Sequence, residues 1–174
     1  MTIAPTLTTA RLSIEPISLD HWEDYAAAWA DPRMTKFVGG KPRTEAENWI
    51  KFLSGSALWS FLGYGYWAFC DRQTGHFLGS GGLAQFHRGI AELEGHIEAG
   101  WGFVPDAWGQ GFATEALAKV LDWADDVLNE PDIRCLIDPE NTASHNVATK
   151  LGFAKIAETR DAIGDAFVYS RATA

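Results

Sequence analysis

Two hydrophobic periods alternate along the chain. Residues 11–17 (RLSIEPI) alternate apolar and polar side chains and predict a first strand. Ser18 is a helix cap for LDHWEDYAAAWA, in which Trp22, Tyr25, Ala26 and Trp29 share one face. Asp31-Pro32 stops that helix. Thr44-Glu45-Ala46-Glu47 has capping-box form and opens a second helix through about residue 58. Residues 64–70 and 76–84 predict two strands joined at the turn DRQTG. A long strand is expected over 93–104, ending at Pro105-Asp106. Residues 113–128 carry the strongest helical pattern, with Ala116, Leu117, Val120, Leu121, Ala124 and Leu128 in one stripe. A short strand (133–137), a short helix (142–151) closed by Gly152, and strands at 153–158 and 166–170 complete the chain. The alternation predicts an α+β (mixed α/β) fold: one domain over residues 1–174, with a central mixed, mostly antiparallel sheet flanked by helices.

Composition narrows the class. The 174 residues are 47% apolar and 21% charged, ordinary for a globular chain with a real core. No apolar run reaches transmembrane length, and MTIAPTLTTARL lacks a basic segment followed by an apolar one. Neither a membrane partner nor a signal peptide is expected. The two cysteines, Cys70 and Cys135, lie in apolar strand-like runs and read as reduced thiols of a cytoplasmic protein. A net charge of −9 argues against nucleic acid and favours a cationic second substrate, while leaving room for a locally basic pocket. His21, His76, His87 and His145 have no metal-ligand spacing, so no metal is expected.

Two segments carry chemistry. In AELEGHIEAGWGFVP the parity places Glu92, Glu94, His96 and Glu98 on one side of the strand, followed by Gly100 and Gly102. Crowded carboxylates raise one another's pKa, which suits Glu98, with His96 or a water, to act as a general base. A solvated acidic face is the plainer reading of Glu92 and Glu94. Gly100 and Gly102 would let a ligand approach the strand. Next, WGQGFATEA places Gly109, Gly111 and Ala113 where the strongest helix begins. Bare N–H groups at a helix N-terminus hold anions; a tight turn is the alternative. No Gly-Lys-Ser/Thr follows, and the third glycine of a dinucleotide fingerprint is missing. Further on, NTASHNVATKLGF starts a short helix with Asn141 and Ser144.

Together with the opening TARLSIEPI, the segments IEAGWGFVPDAWGQGFATEAL and NTASHNVATKLGF resemble the GNAT acyltransferase superfamily. They are most similar to its ribosomal-protein N-acetyltransferase (RimJ/RimL-type) branch. The resemblance implies acetyl-CoA as donor. Its pyrophosphate would rest on the N–H groups of Gly109, Gln110, Gly111, Phe112, Ala113 and Thr114, beside Trp108. Its pantetheine arm would bond to the backbone of Phe103 and Val104, with Asn141 and Ser144 at the thioester end. Lys150 and Lys119 are candidates for the 3′-phosphate. Many members carry a tyrosine at the position of Ala148 that protonates the leaving thiolate. Here that role falls to Ser144, with Tyr169 as the second candidate. Glu15 stands where the branch carries a basic residue.

The expected function is direct acetyl transfer to a primary amine, either a protein N-terminus or a small amine. A non-catalytic acyl-CoA-binding regulatory module is the alternative. Trp22, Trp29, Trp49 and Trp101 read as core or pocket wall. Trp49, Trp59 and the GYGYW stretch would border the acceptor pocket. The sequence is silent on oligomeric state.

Overall fold

A computed structural model describes residues 4–128, 132–160 and 164–172. Its order is β1 (Leu7–Thr8), β2 (Leu12–Pro16), α1 (Trp22–Ala30), α2 (Pro32–Thr35), α3 (Glu45–Leu62), β3 (Tyr66–Asp71) and β4 (Phe77–Ala84). There follow β5 (Ile97–Phe103), α4 (Phe112–Val127), β6 (Asp132–Ile137), α5 (Thr142–Lys150), β7 (Ala154–Arg160) and β8 (Asp165–Ala172). The strands form one eight-stranded sheet in the order β1-β2-β3-β4-β5-β6-β8-β7. Every neighbouring pair is antiparallel except β5 and β6, which run parallel. The mixed α/β expectation is met.

The sheet is covered on both faces. Strand parity turns Trp67, Phe69, Leu83, Ala99 and Phe103 toward the stripe of α4 formed by Phe112, Ala116, Leu117, Val120, Leu121 and Ala124. The opposite face, with Ala68, Cys70 and Phe77, packs against Tyr25, Ala28, Trp29, Met34 and Phe52 of α1, α2 and α3. Trp59, Trp67 and Trp123 lock α3, β3 and α4 together, with ring centroids 4.6, 5.3 and 5.4 Å apart. Trp59 is therefore core rather than the expected pocket border, and Trp49 sits half-exposed against Trp22.

Three boundaries differ from the sequence reading, each for a local reason. Asp31-Pro32 ends α1 but also starts α2, because the Asp31 side chain accepts from the Arg33 N–H and proline suits a first helical position. The α3 helix runs on to Leu62 and stops at Gly63, whose φ is 79°. Most consequential, β5 begins at Ile97 and not at residue 93. Gly95, with φ 80°, breaks the extended backbone, and Leu93 turns inward to Ile90 and Val168. Glu92 and Glu94 therefore lie on a turn, and the expected row of carboxylates beside Glu98 does not form.

Candidate active site

The parallel pair β5/β6 is in register only at Ile97↔Ile133 and Glu98↔Arg134. Beyond Glu98, β5 continues to Phe103 with β4 alone as its partner. Peptide groups alternate in direction along a strand. The Gly100 and Gly102 carbonyls lie against Gly81 and Gly79 of β4, and the Val104 N–H donates to the Leu78 carbonyl at 2.8 Å. Trp101 and Phe103 therefore turn their N–H and C=O groups to the open edge. The Val104 N–H is thus engaged inside the sheet, and the backbone groups on the open edge are those of Trp101 and Phe103. The Trp108 indole N–H donates to the Phe103 carbonyl at 2.5 Å.

The glycine loop ends beside that edge. Gly109 and Gly111 have φ of 73° and 80°, a left-handed backbone that glycine adopts at little cost. Gly111 caps α4 with no side-chain acceptor. The helix's first internal bond is Glu115 N–H to the Gly111 carbonyl, at 3.1 Å. The N–H groups of Phe112, Ala113 and Thr114 precede it and point out of the helix end. Arg11 fastens the loop from the β1–β2 turn. It donates to the Gln110 carbonyl at 2.9 Å and to Glu115 at 2.7 Å, and covers the Phe112 ring at 4.2 Å. Thr9 adds a 2.5 Å hydrogen bond to Glu115. Burial would raise the Glu115 pKa, but these bonds outweigh it and hold the carboxylate below its ordinary range.

Edge and loop share a cavity of about 590 Å³ with the start of α5. It brings together Phe103, Trp108, Gly109, Gly111, Phe112, Ala113, Thr114, Asn141, Ser144 and Lys150, as the sequence leads one to expect. Asn141 caps α5 through the Ser144 N–H at 3.1 Å and so fixes where Ser144 stands. Val104, Gln110 and Lys119 do not line the cavity; the Gln110 side chain donates instead to the Asp106 carbonyl at 2.7 Å. A further wall comes from Trp29, read as core or pocket wall, and from Arg33, Met34, Phe37 and Val38, which sequence reasoning missed. Their signal was the proline-led start of α2.

The acid–base candidates separate. Glu98 does not line the cavity; it is only 7% exposed, and both of its oxygens accept from Arg88, at 2.8 and 2.7 Å. It stands on the face of β5 that carries Gly100 and Gly102. Gly100 makes room for the chain itself, whereas Gly102 also lines the cavity. A Cβ at Gly100 would lie 2.5 Å from the Tyr66 hydroxyl, and one at Gly102 would lie 3.0 Å from the Trp29 indole. Burial and the Glu98 charge push the Tyr66 pKa far up, so its phenol stays protonated. His96 precedes the strand at its closed end, with Nδ1 3.5 Å from Asp132 and no hydrogen bond. The structure does not bring it to the cavity. The Tyr169 hydroxyl donates to His145 Nδ1 at 2.9 Å, and His145 Nε2 is 3.2 Å from the Pro139 carbonyl. That carbonyl can only accept, so the ring proton sits on Nε2. Tyr169 is thus tied behind α5, outside the cavity, with its pKa raised by burial. Ser144 and Thr114 are the hydroxyl-bearing residues that line the cavity.

Among the described residues, Glu15, His21 and Cys70 bring possible ligand atoms within 4.8 Å of one another. His21 Nδ1 accepts the Ser18 N–H at 3.1 Å, which leaves the proton on Nε2, the nitrogen 3.8 Å from Glu15. With its Nδ1 lone pair engaged by the Ser18 N–H and its proton on Nε2, His21 has no free lone pair for a metal there. Cys70 and Cys135 are buried and unpaired, and burial pushes the Cys70 thiol to about 12. No described helix is long and apolar enough to cross a membrane.

An open strand edge leads to an uncapped, glycine-led helix whose free N–H groups suit an anion. The chain belongs to the GNAT acetyltransferase family, whose model, the acetyltransferase (GNAT) domain, matches residues 11–154. The family's co-substrate is acetyl-CoA. The chain is 28% identical to the uncharacterised N-acetyltransferase p20 of Bacillus licheniformis over 159 residues, 90% of this chain and 86% of that one. An acetyltransferase of Agrobacterium tumefaciens superposes with a TM-score of 0.86 at 28% identity, covering 98% of this chain and 95% of the other. The ribosomal-protein-S5-alanine acetyltransferase of Vibrio fischeri shares the fold, with a TM-score of 0.75 at 17% identity and 97% of each chain covered.

Proposed function

We propose that this protein is a cytoplasmic N-acetyltransferase of the RimJ/RimL-like type that moves an acetyl group from acetyl-CoA directly to a primary amine. The early end of the β5/β6 pairing carries this reading: it leaves the Trp101 and Phe103 peptide groups beside the bare N-terminus of α4. The residues present fit the coenzyme. The N–H groups of Phe112, Ala113 and Thr114 would face the pyrophosphate, and Trp101 and Phe103 the pantetheine amides. Lys150, on the cavity rim, would face an outer phosphate. Acetyl-CoA supplies the activated acyl group.

The remaining roles belong to the chain. Glu98 takes the proton of the incoming ammonium. A backbone N–H near Phe103 polarises the acyl oxygen, as a preorganised donor does. Ser144 gives a proton to the departing sulfur. Holding both substrates in one geometry contributes up to about 7–11 kcal/mol of rate acceleration.

Titration calorimetry with acetyl-CoA, paired with a free-thiol assay over peptides and small amines, tests the proposal. Binding followed by amine-dependent thiol release is the expected result. Tight binding without turnover on any amine would instead fit a regulatory module.

A further inference from the structure

The α3 helix has two faces, and the fold uses one of them. Asn48, Phe52, Gly55 and Trp59 are buried. Phe52 packs on Tyr25, Trp59 on Trp67, and the Asn48 amide donates to the Ala26 carbonyl at 3.2 Å. On the other side Ala46, Ile50, Leu53, Ala57 and Ser60 follow one another at spacings of four, three, four and three. That is the a/d repeat of a seam between paired helices. All of these residues are exposed: Ile50 by 65% and Leu53 by 44%, with Phe61, one turn beyond Ala57, at 85%. A helix face that meets water ordinarily carries charge. Here no charged side chain occurs between Lys51 and Asp71, and Lys51 falls outside the seam positions. The Ser54 hydroxyl donates back to the Ile50 carbonyl at 2.7 Å, so it adds no unmet donor to the face. No α3 residue lines the coenzyme cavity, so the acetyl-transfer site does not explain the seam.

We propose that this face binds the same face of a second copy, in a two-fold dimer built on an antiparallel pair of α3 helices. Charge selects that occupant. Two chains of net charge −9 repel each other, and the outer side of α3 is a surface on which they can meet without opposing carboxylates. Interface cores are likewise depleted of charged residues. A cationic partner would be drawn to the acidic surface instead. Shape agrees. A two-fold axis across the middle of α3 runs the helices antiparallel and places the same patch on both sides. The bulky first half of the seam, Ile50 and Leu53, then meets the small second half, Ala57 and Ser60, of the other copy, with Phe61 closing each end. Extent sets the strength. The 18 residues of α3 span about 27 Å. One such helix pair buries less than the roughly 800 Å² per partner of a standard interface, so the dimer is weak and reversible.

Sedimentation velocity of the full chain, from about 2 to about 200 µM, tests the proposal. A monomer–dimer equilibrium is the expected result. Raising salt from about 0.05 to about 0.5 M should shift it toward dimer, because salt screens the repulsion between the acidic chains and spares the apolar seam. Leu53→Glu should abolish the dimer over the whole range. Leu53 is exposed in the single chain and lies off the cavity, so the monomer's melting temperature and acetyl-CoA affinity should not change. Val127→Glu adds the same charge at an exposed apolar position of α4 and should leave the dimer intact. A chain that stays monomeric at every concentration and salt would overturn the inference. So would a dimer that survives Leu53→Glu, or one that both variants weaken equally. The first measurement uses the unaltered protein, so it does not depend on a variant that folds. Acetyl-CoA binding is read separately, and its failure would strike the acetyltransferase reading and not this one.

Discussion

Glu98 meets Arg88 through both oxygens and lies beside a protonated Tyr66, so the Glu98→Gln change keeps shape and removes proton acceptance. Turnover is expected to fall by about 10²–10⁴-fold, the usual range for a general base, and the pH–rate profile to lose its acid limb. Calorimetry should find acetyl-CoA affinity intact, because the coenzyme contacts lie on the loop and the strand edge. Wild-type kinetics would remove Glu98 from the mechanism. At Gly111 the φ of 80° makes alanine strained by about 1 kcal/mol. The new methyl would lie 3.6 Å from the Arg11 guanidinium that fastens the loop, so relief of the strain would shift the loop. Gly111→Ala should therefore weaken CoA binding by more than its loss in melting temperature implies. Gly109, Gly111, Asn141 and Ser144 were readable because each acts within a few residues of its own position. The contacts of Gly100 with Tyr66 and of Gly102 with Trp29 were not readable, because those neighbours come from distant parts of the chain.

The elements divide the labour. The β4–β5 pair is rich in glycine because both strands are pressed closely by backbone and by the α1–α3 layer. A Cβ at Gly81 would lie 2.5 Å from the Gly100 carbonyl oxygen and 2.9 Å from the Trp101 Cα. Backbone cannot step aside as a side chain can. Gly81→Ala should cost about 1–3 kcal/mol in denaturant unfolding and shift the edge that faces the coenzyme. Arg11 joins the β1–β2 turn to the α4 entrance through Gln110 and Glu115. With 45% of its side chain exposed, it contributes little to global stability. Arg11→Ala is expected to leave the melting temperature nearly unchanged and raise the KM for acetyl-CoA. Strong periodicity made α4 legible, and TEAE made the start of α3 legible. The start of β5 was not, because alternation continues unbroken through residues 93–103 while Gly95 turns the backbone. That slip produced the acidic row that does not exist and drew His96 toward a site it does not reach.

For the molecule as a whole, acid sensitivity follows from its engaged carboxylates. Burial would raise the Asp132 pKa, but hydrogen bonds from Arg134 and Ser170 and the charges of Arg134 and His96 outweigh it, so the folded value is lowered. Asp71, bonded to the Thr74 and Gln73 N–H groups, is lowered as well. A carboxylate whose folded pKa lies below its unfolded value stabilises the fold above the unfolded pKa, near 4. That stabilisation disappears as pH falls through the folded value. Melting temperature should hold through neutral pH and drop below about pH 4. Asp132→Asn should lower it at pH 7 and narrow its gap to wild type at pH 3. The sequence alone determined the alternation of strands and helices, the glycine-led helix entrance and the capped α5 helix. Each of these depends on backbone preferences and periodicity over neighbouring residues. Only the tertiary structure decided where β5 parts from β6, which backbone groups face the gap and which hydroxyls line it. It alone set Arg88 on Glu98 and Arg43 over Trp29, since contacts at a site are set by distances in space, which a sum of charges along the chain does not contain.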